Sequence, residues 1–309
     1  MGQTRATLIG GAANYSHAGY SSALADDGKF DIEGEFADIN AAMYGVVDQV
    51  ETNAQVKISG TPLPWNVSTT PAALYPYLTP VFGAILPSGT DTPFIYTAAN
   101  GDVYTATCAV LTKMPDLSLG VSDSNMGAAE WTGIIGDGLN PEAANSLYTI
   151  GTGIYTALAI DRAKIPRGYY SGSWAATVNS VTPLVFAPED KLTISFETTL
   201  EPVKVQGRVR GFKLTKLAVM TKCVPIGLTP AQVDGSALFQ GTGATHGRRL
   251  SAGAHDLTIT GPMNIVQKNA AIKTAGFRFG NSVLRIGEVG FYSTVDPTAG
   301  APGAILTFS

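Results

Sequence analysis

Short runs of alternating apolar and polar residues, closed by Gly, Pro, Asn or Asp, recur along this chain. They include residues 54–60 (AQVKISG), 93–98 (PFIYTA), 102–111 (DVYTATCAVL), 191–199 (KLTISFETT), 203–209 (VKVQGRV), 255–261 (HDLTITG) and 281–293 (NSVLRIGEVGFYS). Period-two alternation rich in β-branched and aromatic residues predicts strands of the kind that build sandwiches and barrels. Helix signals are few. Thr70 before Pro71, Asn140 before Pro141 and Thr229 before Pro230 each place a capping side chain ahead of a first-turn proline, which predicts helices of two or three turns. Residues 10–25 and 239–254 are rich in Gly, Ala and Ser; they read as arms that order only against a neighbour.

An internal repeat organises these elements. Leu117-Ser118-Leu119-Gly120, with Gly127 and Trp131 after it, aligns with Phe277-Arg278-Phe279-Gly280, Gly287 and Phe291 at an offset of 160. The two Thr-Pro-Ala starts, at Thr70 and Thr229, stand 159 apart. The expectation is a mainly β fold of two similar sandwich or barrel domains, each with a short flanking helix, at residues 1–160 and 161–309.

Charge separates the two halves. Residues 1–150 carry 4 Lys or Arg against 15 Asp or Glu, a balance of −11, and residues 151–309 carry 16 against 9, a balance of +7. Opposite fields on one chain offer complementary surfaces to further copies of it. The basic run 203–217 holds Lys204, Arg208, Arg210, Lys213 and Lys216 with a lone aromatic, Phe212, which makes no stacking platform, so specific nucleic-acid reading is not expected. With 14% charged and 45% hydrophobic residues among 309, the composition is that of a folding chain. No membrane span or secretory leader is expected from it, for want of a long apolar run.

Catalytic and cofactor chemistry is not expected. Cys108 and Cys223 lie 115 positions apart with no second Cys or His at ligand spacing, which argues against a zinc site or a disulfide scaffold. None of His17, His246 and His255 has a partner at ligand spacing, and the sequence carries no P-loop, dinucleotide fingerprint, nucleophile elbow or HExxH. The acidic cluster Asp26, Asp27, Asp31, Glu33, Glu35 and Asp38 has Gly28 at its third position, whereas a calcium loop of the EF-hand kind needs glycine at the sixth. A solvated strand face or a subunit contact is the expectation there. Arg248 and Arg249, in the loop GTGATHGRRLSAG, stand as basic contacts to a neighbouring subunit or as charges on a polar loop.

Several stretches, taken in order, resemble a known family. Residues 44–49 (YGVVDQ) leading to 56–62 (VKISGTP), the helix start at Pro71, residues 90–93 (TDTP), 111–119 (LTKMPDLSL) and 140–145 (NPEAAN) are similar to the tail tube, or major tail, proteins of long-tailed bacteriophages and prophages. The resemblance covers most of residues 40–150 and, more loosely, 190–295. It implies a β-sandwich or barrel domain with a flanking helix, stacked in six-fold rings around a lumen for the genome. Two-domain members form trimers with pseudo-six-fold symmetry; one tube domain with a decorating C-terminal half is the other arrangement.

The implied partners are further copies of the chain in hexameric or trimeric rings, other tail proteins, and DNA in transient passage. The implied location is the virion tail, after synthesis in the host cytoplasm. No enzyme activity, cofactor or metal is implied, and no membrane. A predominantly negative bore would let phosphates slide, which makes Asp31, Glu33, Glu35, Asp38, Asp48 and Glu51 candidates for lumen or inter-ring positions. Lys204, Arg208, Arg210, Lys213, Lys216, Arg248 and Arg249 become candidates for inter-subunit contacts. The rival reading is a tail-tip, baseplate or receptor-facing β module that binds a surface ligand.

Overall fold

A computed structural model of the chain describes residues 13–24, 28–62, 74–80, 82–86, 92–119, 124–135, 146–156, 175–178, 181–186, 192–205, 208–226, 255–260, 264–280, 283–295 and 303–308. Strands are numbered in chain order. The first sheet contains β1 (Ala13–His17), β2 (Tyr20–Leu24), β6 (Phe94–Ala98), β7 (Asp102–Ala106) and β12 (Tyr148–Thr152), in the order β12-β7-β6-β1-β2. The second contains β3 (Lys29–Ala41), β4 (Gly45–Gly60), β8 (Ala109–Lys113) and β11 (Ala129–Gly133), in the order β3-β4-β11-β8.

The third is a 12-stranded sheet. It holds β9 (Leu117–Leu119), β10 (Ser124–Met126), β13 (Ala175–Val178), β14 (Val181–Phe186), β15 (Leu192–Val205), β16 (Arg208–Cys223), β17 (Pro225–Ile226), β18 (His255–Thr260), β19 (Ile265–Gly280) and β20 (Val283–Thr294). Their order is β10-β9-β15-β16-β20-β19-β18-β13-β14-β17, with β5 (Ile85–Leu86) on β16 and β21 (Leu306–Phe308) on β19. The fold is mainly β, as expected. The flanking helices are not seen: the helical residues among those described are Leu74 and the 3-10 turn at Pro76–Leu78. The starts at Thr70, Asn140 and Thr229 lie outside the described residues.

Alternation alone accounts for the first hairpin. Ala13, Tyr15, Tyr20, Ser22 and Leu24 are buried while the residues between them are partly exposed, the pattern of strands with one wet face. Ala18 and Gly19 turn the chain with φ of 49° and 81°, a handedness that matches strand twist and that glycine adopts without strain. Residues 13–24 are therefore core rather than the arm expected of 10–25. Bulky residues are sparse there, but each stands at an inward position. Tyr15 lies 5.2 Å from Trp131 and 5.5 Å from Phe94, and Phe94 lies 4.8 Å from Trp131, between ring centres. This aromatic layer joins the first sheet to the second as a β-sandwich. Residues 239–254, the other expected arm, lie outside the described residues.

Strand order is duplicated along the chain. The order β7-β6-β1-β2 matches β19-β18-β13-β14, β3-β4-β11-β8 matches β15-β16-β20-β19, and β12 beside β7 matches β21 beside β19. First residues of matching strands, Ala13 and Ala175, Tyr20 and Val181, Phe94 and His255, Gly45 and Arg208, stand 162, 161, 161 and 163 apart. In the first half Thr107 and Cys108 separate β7 from β8, so two sheets face each other. In the second half β19 runs unbroken through both roles, which fuses the matching sheets into one.

Pairing also crosses residue 160. β9 pairs antiparallel with β15, β5 pairs with β16, and Ile305 donates its N–H to the Leu78 carbonyl at 2.8 Å. Tyr75 packs between Phe196 and Phe308, at 4.9 and 5.4 Å, and donates its hydroxyl to the Pro115 carbonyl at 3.0 Å. Beneath the matching sheet of the second half, the buried Gln267 amide donates to Ser293 Oγ and to the Val219 and Phe291 carbonyls, while its Oε1 accepts from the Thr221 hydroxyl. Those partners use both ends of the amide, so its burial leaves nothing unsatisfied.

Candidate functional site

The β3–β4 hairpin carries all six acidic candidates. Near its base the residues of one parity, Val56 and Ile58 with Phe30 against them, belong to the core. Beyond Ile32 β3 leaves the body of the molecule, and every described side chain from Asp31 to Asn40 is exposed, while on β4 Asn53 is still buried. The tip turns at 42–44, where Tyr44 donates its N–H to the Ala41 carbonyl at 3.0 Å and Gly45 takes φ of 71°, a left-handed position natural to glycine.

Two bulges shape it. The register shifts between Glu35 and Phe36, leaving Thr52 unpaired, and between Ile39 and Asn40, leaving Val47 unpaired. Each extra residue on β4 reverses which face the following residues present. Asp31, Glu33, Glu35 and Asp48 consequently share one face, and Asp38 sits on the other with Glu51, whose side chain lies outside the description. Gln49 donates its amide to Asp38 at 2.8 Å, Asp48 accepts the Gln49 N–H at 2.8 Å, and Glu33 pairs with Lys57 at 2.8 Å. The structure thus brings the six acidic candidates onto one element, although not onto one surface.

Apolar side chains share that element, and the sequence reading passed over them. Of the 13 large hydrophobics exposed among the described residues, eight lie between Ile32 and Val50: Ile32, Phe36, Ile39, Met43, Tyr44, Val46, Val47 and Val50. Phe36 is 59% exposed and Met43 87%. Such a concentration is more than the scattered apolar residues of an ordinary surface. The available signal was hydrophobics at both parities within an acid-rich strand, which has no inward face to serve.

Most of the basic candidates lie on the matching hairpin, β15–β16. It has the same two bulges, between Thr199 and Leu200 and between Val203 and Lys204, which leave Thr215 and Arg210 unpaired. Thr52 donates its hydroxyl to the Glu35 carbonyl at 3.1 Å, and Thr215 donates to the Thr199 carbonyl at 3.3 Å. These matches set offsets of 164 between β3 and β15 and 163 between β4 and β16.

This second hairpin is clasped by the first half of the chain. Val209 and Phe212 are buried with Cys108, Val110 and Ile134 in a small core, flanked by Leu86 and Leu200. Val209 donates its N–H to Asn53 Oδ1 at 3.2 Å, and Arg210 donates from Nη1 to the Ile135 carbonyl at 3.1 Å. Lys216 pairs with Glu197 at 2.9 Å; the Lys216 hydrogen bond, ahead of an opposing desolvation effect, holds the Glu197 carboxyl below its ordinary range. Lys204 and Lys213 are exposed and Arg208 is partly exposed. Arg248 and Arg249 lie outside the described residues.

Little in the described residues is arranged for chemistry. No cluster of three His, Cys, Asp or Glu suited to a metal occurs among them. One cavity of about 10 Å³, lined in part by Tyr15, His17, Tyr20, Leu111 and Trp131, has room for about one water molecule. His17 places Nε2 2.9 Å from the Ala109 carbonyl. Burial lowers its pKa against the opposing effect of that carbonyl. Burial pushes the Cys223 thiol up to about 12, away from the thiolate form a nucleophile needs. No protein-family model matches the chain, and neither does any curated protein.

Proposed function

We propose that this chain is a structural subunit that assembles with copies of itself into rings, and that these stack as the tail tube of a long-tailed bacteriophage. One observation carries the reading. Two hairpins of matching topology and matching bulges differ in cover: β15–β16 is clasped by the other half of the chain, whereas the outer part of β3–β4, from Ile32 to Val50, stands bare with apolar residues on both faces.

A second copy supplies the missing clasp if the contact between the halves repeats from chain to chain. Such a contact is heterologous, and it closes a ring when its rotation divides a full turn. The acidic first half and basic second half favour this head-to-tail order over like meeting like. Asp31, Glu33, Glu35, Asp38, Asp48 and Glu51, on an exposed element, suit a bore that repels phosphate and lets DNA slide. Rings along a tail, rather than a catalytic pocket, are the role for which the chain is built.

The purified protein viewed in negative stain is expected to form hollow tubes with a regular axial repeat, and rising salt is expected to weaken them. Discrete small oligomers that never elongate and that bind a cell-surface glycan would favour a receptor-facing tail-tip module instead.

A further inference from the structure

The duplication locates a contact that a single chain leaves empty. Within the chain, the far end of the β8–β11 hairpin is the β9–β10 pair, and β9 lies along the edge of β15 with Leu117, Ser118 and Leu119 facing Ile194, Thr193 and Leu192. The matching far end in the second half is the outer part of β19–β20. Its register agrees pair for pair at an offset of 160: Leu117↔Met126, Ser118↔Asn125 and Leu119↔Ser124 become Phe277↔Ile286, Arg278↔Arg285 and Phe279↔Leu284. The strand that matches β15 is β3. Among the described residues β3 pairs on one side alone, with β4, and its other edge ends the sheet.

We infer that the outer part of β19–β20 adds to the free edge of β3 in the next copy of the chain, antiparallel, with Phe277, Arg278 and Phe279 facing Phe30, Lys29 and Gly28. This deepens the reading of the chain as a self-assembling subunit and rests on it. Strand addition supplies main-chain hydrogen bonds that an open edge otherwise offers to any partner. The sequence favours this pairing between copies in overall charge, because residues 274–287 carry Arg278 and Arg285 and no acid, whereas β3 carries Asp31, Glu33 and Glu35 just beyond Lys29. Opposite net charge then favours this partner strand, while the register follows from the matching contact of β9 on β15, since Arg278 itself faces Lys29.

Disulfide trapping in the full-length protein tests it. A chain carrying Lys29→Cys and Arg278→Cys is expected to give a ladder of covalent multimers on a non-reducing gel. Each single variant alone gives none, and an equimolar mixture of the two singles stops at covalent dimers. Ser118→Cys with Thr193→Cys samples the equivalent contact inside one chain and is expected to close without changing the mass. Lys29→Cys with Arg285→Cys, one strand too far for a disulfide, is expected to stay uncrosslinked.

If the double variant does not fold, the mixture of singles reads the same contact. Protein that assembles by light scattering, closes the Ser118 and Thr193 pair, and yet gives no Lys29 to Arg278 link overturns this pairing and leaves the assembly reading intact. Protein that never grows beyond a monomer overturns both.

Discussion

The hairpins β3–β4 and β15–β16 are close to a controlled experiment within one molecule. They are nearly equal in length and share both bulges and the threonine hydrogen bond that closes the first bulge. Their apolar content is also comparable, yet Val209 is 4% exposed and Val46, the residue at the matching place, is 53% exposed. Leu200 is partly buried against the small core and Phe36, its match, is bare. The difference lies in the neighbour, since β15–β16 has the back of the first half to lie on. Local geometry is set within the hairpin, whereas burial is set by what stands beside it.

Placing a carboxylate at the two valines gives the largest contrast. Val209→Asp buries a charge without a partner and is expected to cost about 4 kcal/mol or more of unfolding free energy. Val46→Asp is expected to change it by less than about 0.5 kcal/mol, while lowering the yield of assembled particles. Chemical denaturation of each variant, with sedimentation of the same samples, checks both halves of the statement. Equal losses of stability at the two positions would end the comparison.

A smaller contrast comes from Asn53 and Lys216, which also occupy matching places. Asn53→Ala strands the buried Val209 N–H and is expected to cost about 1–3 kcal/mol. Lys216→Ala removes an exposed ion pair with Glu197 and is expected to leave the denaturation midpoint nearly unchanged. Denaturation midpoints at matched slope separate the two.

The last effect concerns pH and falls on the first half, where the half-buried His17 packs against Phe94 and Trp131. Its folded pKa lies below the ordinary value of 6.5. The neutral imidazole therefore stabilises the fold above about pH 6.5, and this contribution is lost as pH falls below that, by at most about 1.4 kcal/mol per pH unit. Unfolding curves between pH 7 and pH 5 are expected to lose that slope in His17→Gln. An unchanged slope would assign the acid response to other groups.

The strands of the core were legible because alternation is a local property. The duplication was legible too, since the 160-residue spacing of the Leu117 and Phe277 motifs survives as pair-for-pair register in the two hairpins. Other features were hidden. The bulges at Thr52 and Val47 leave no mark in composition, and without them the parity of Val46, Asp48 and Val50 cannot be assigned to a face. Residues 13–24 looked too small and polar for a core, because three inward side chains, Tyr15, Tyr20 and Leu24, do the packing that composition averages away.

Sequence by itself determined that this is a mainly β chain, repeated, with an acidic half and a basic half. Both the strand period and the charge are properties of residues taken one at a time or in short runs. Only the tertiary structure decided which of two like hairpins is covered and which sheet edge stays open. Burial depends on residues more than a hundred positions away, and no local pattern carries that information.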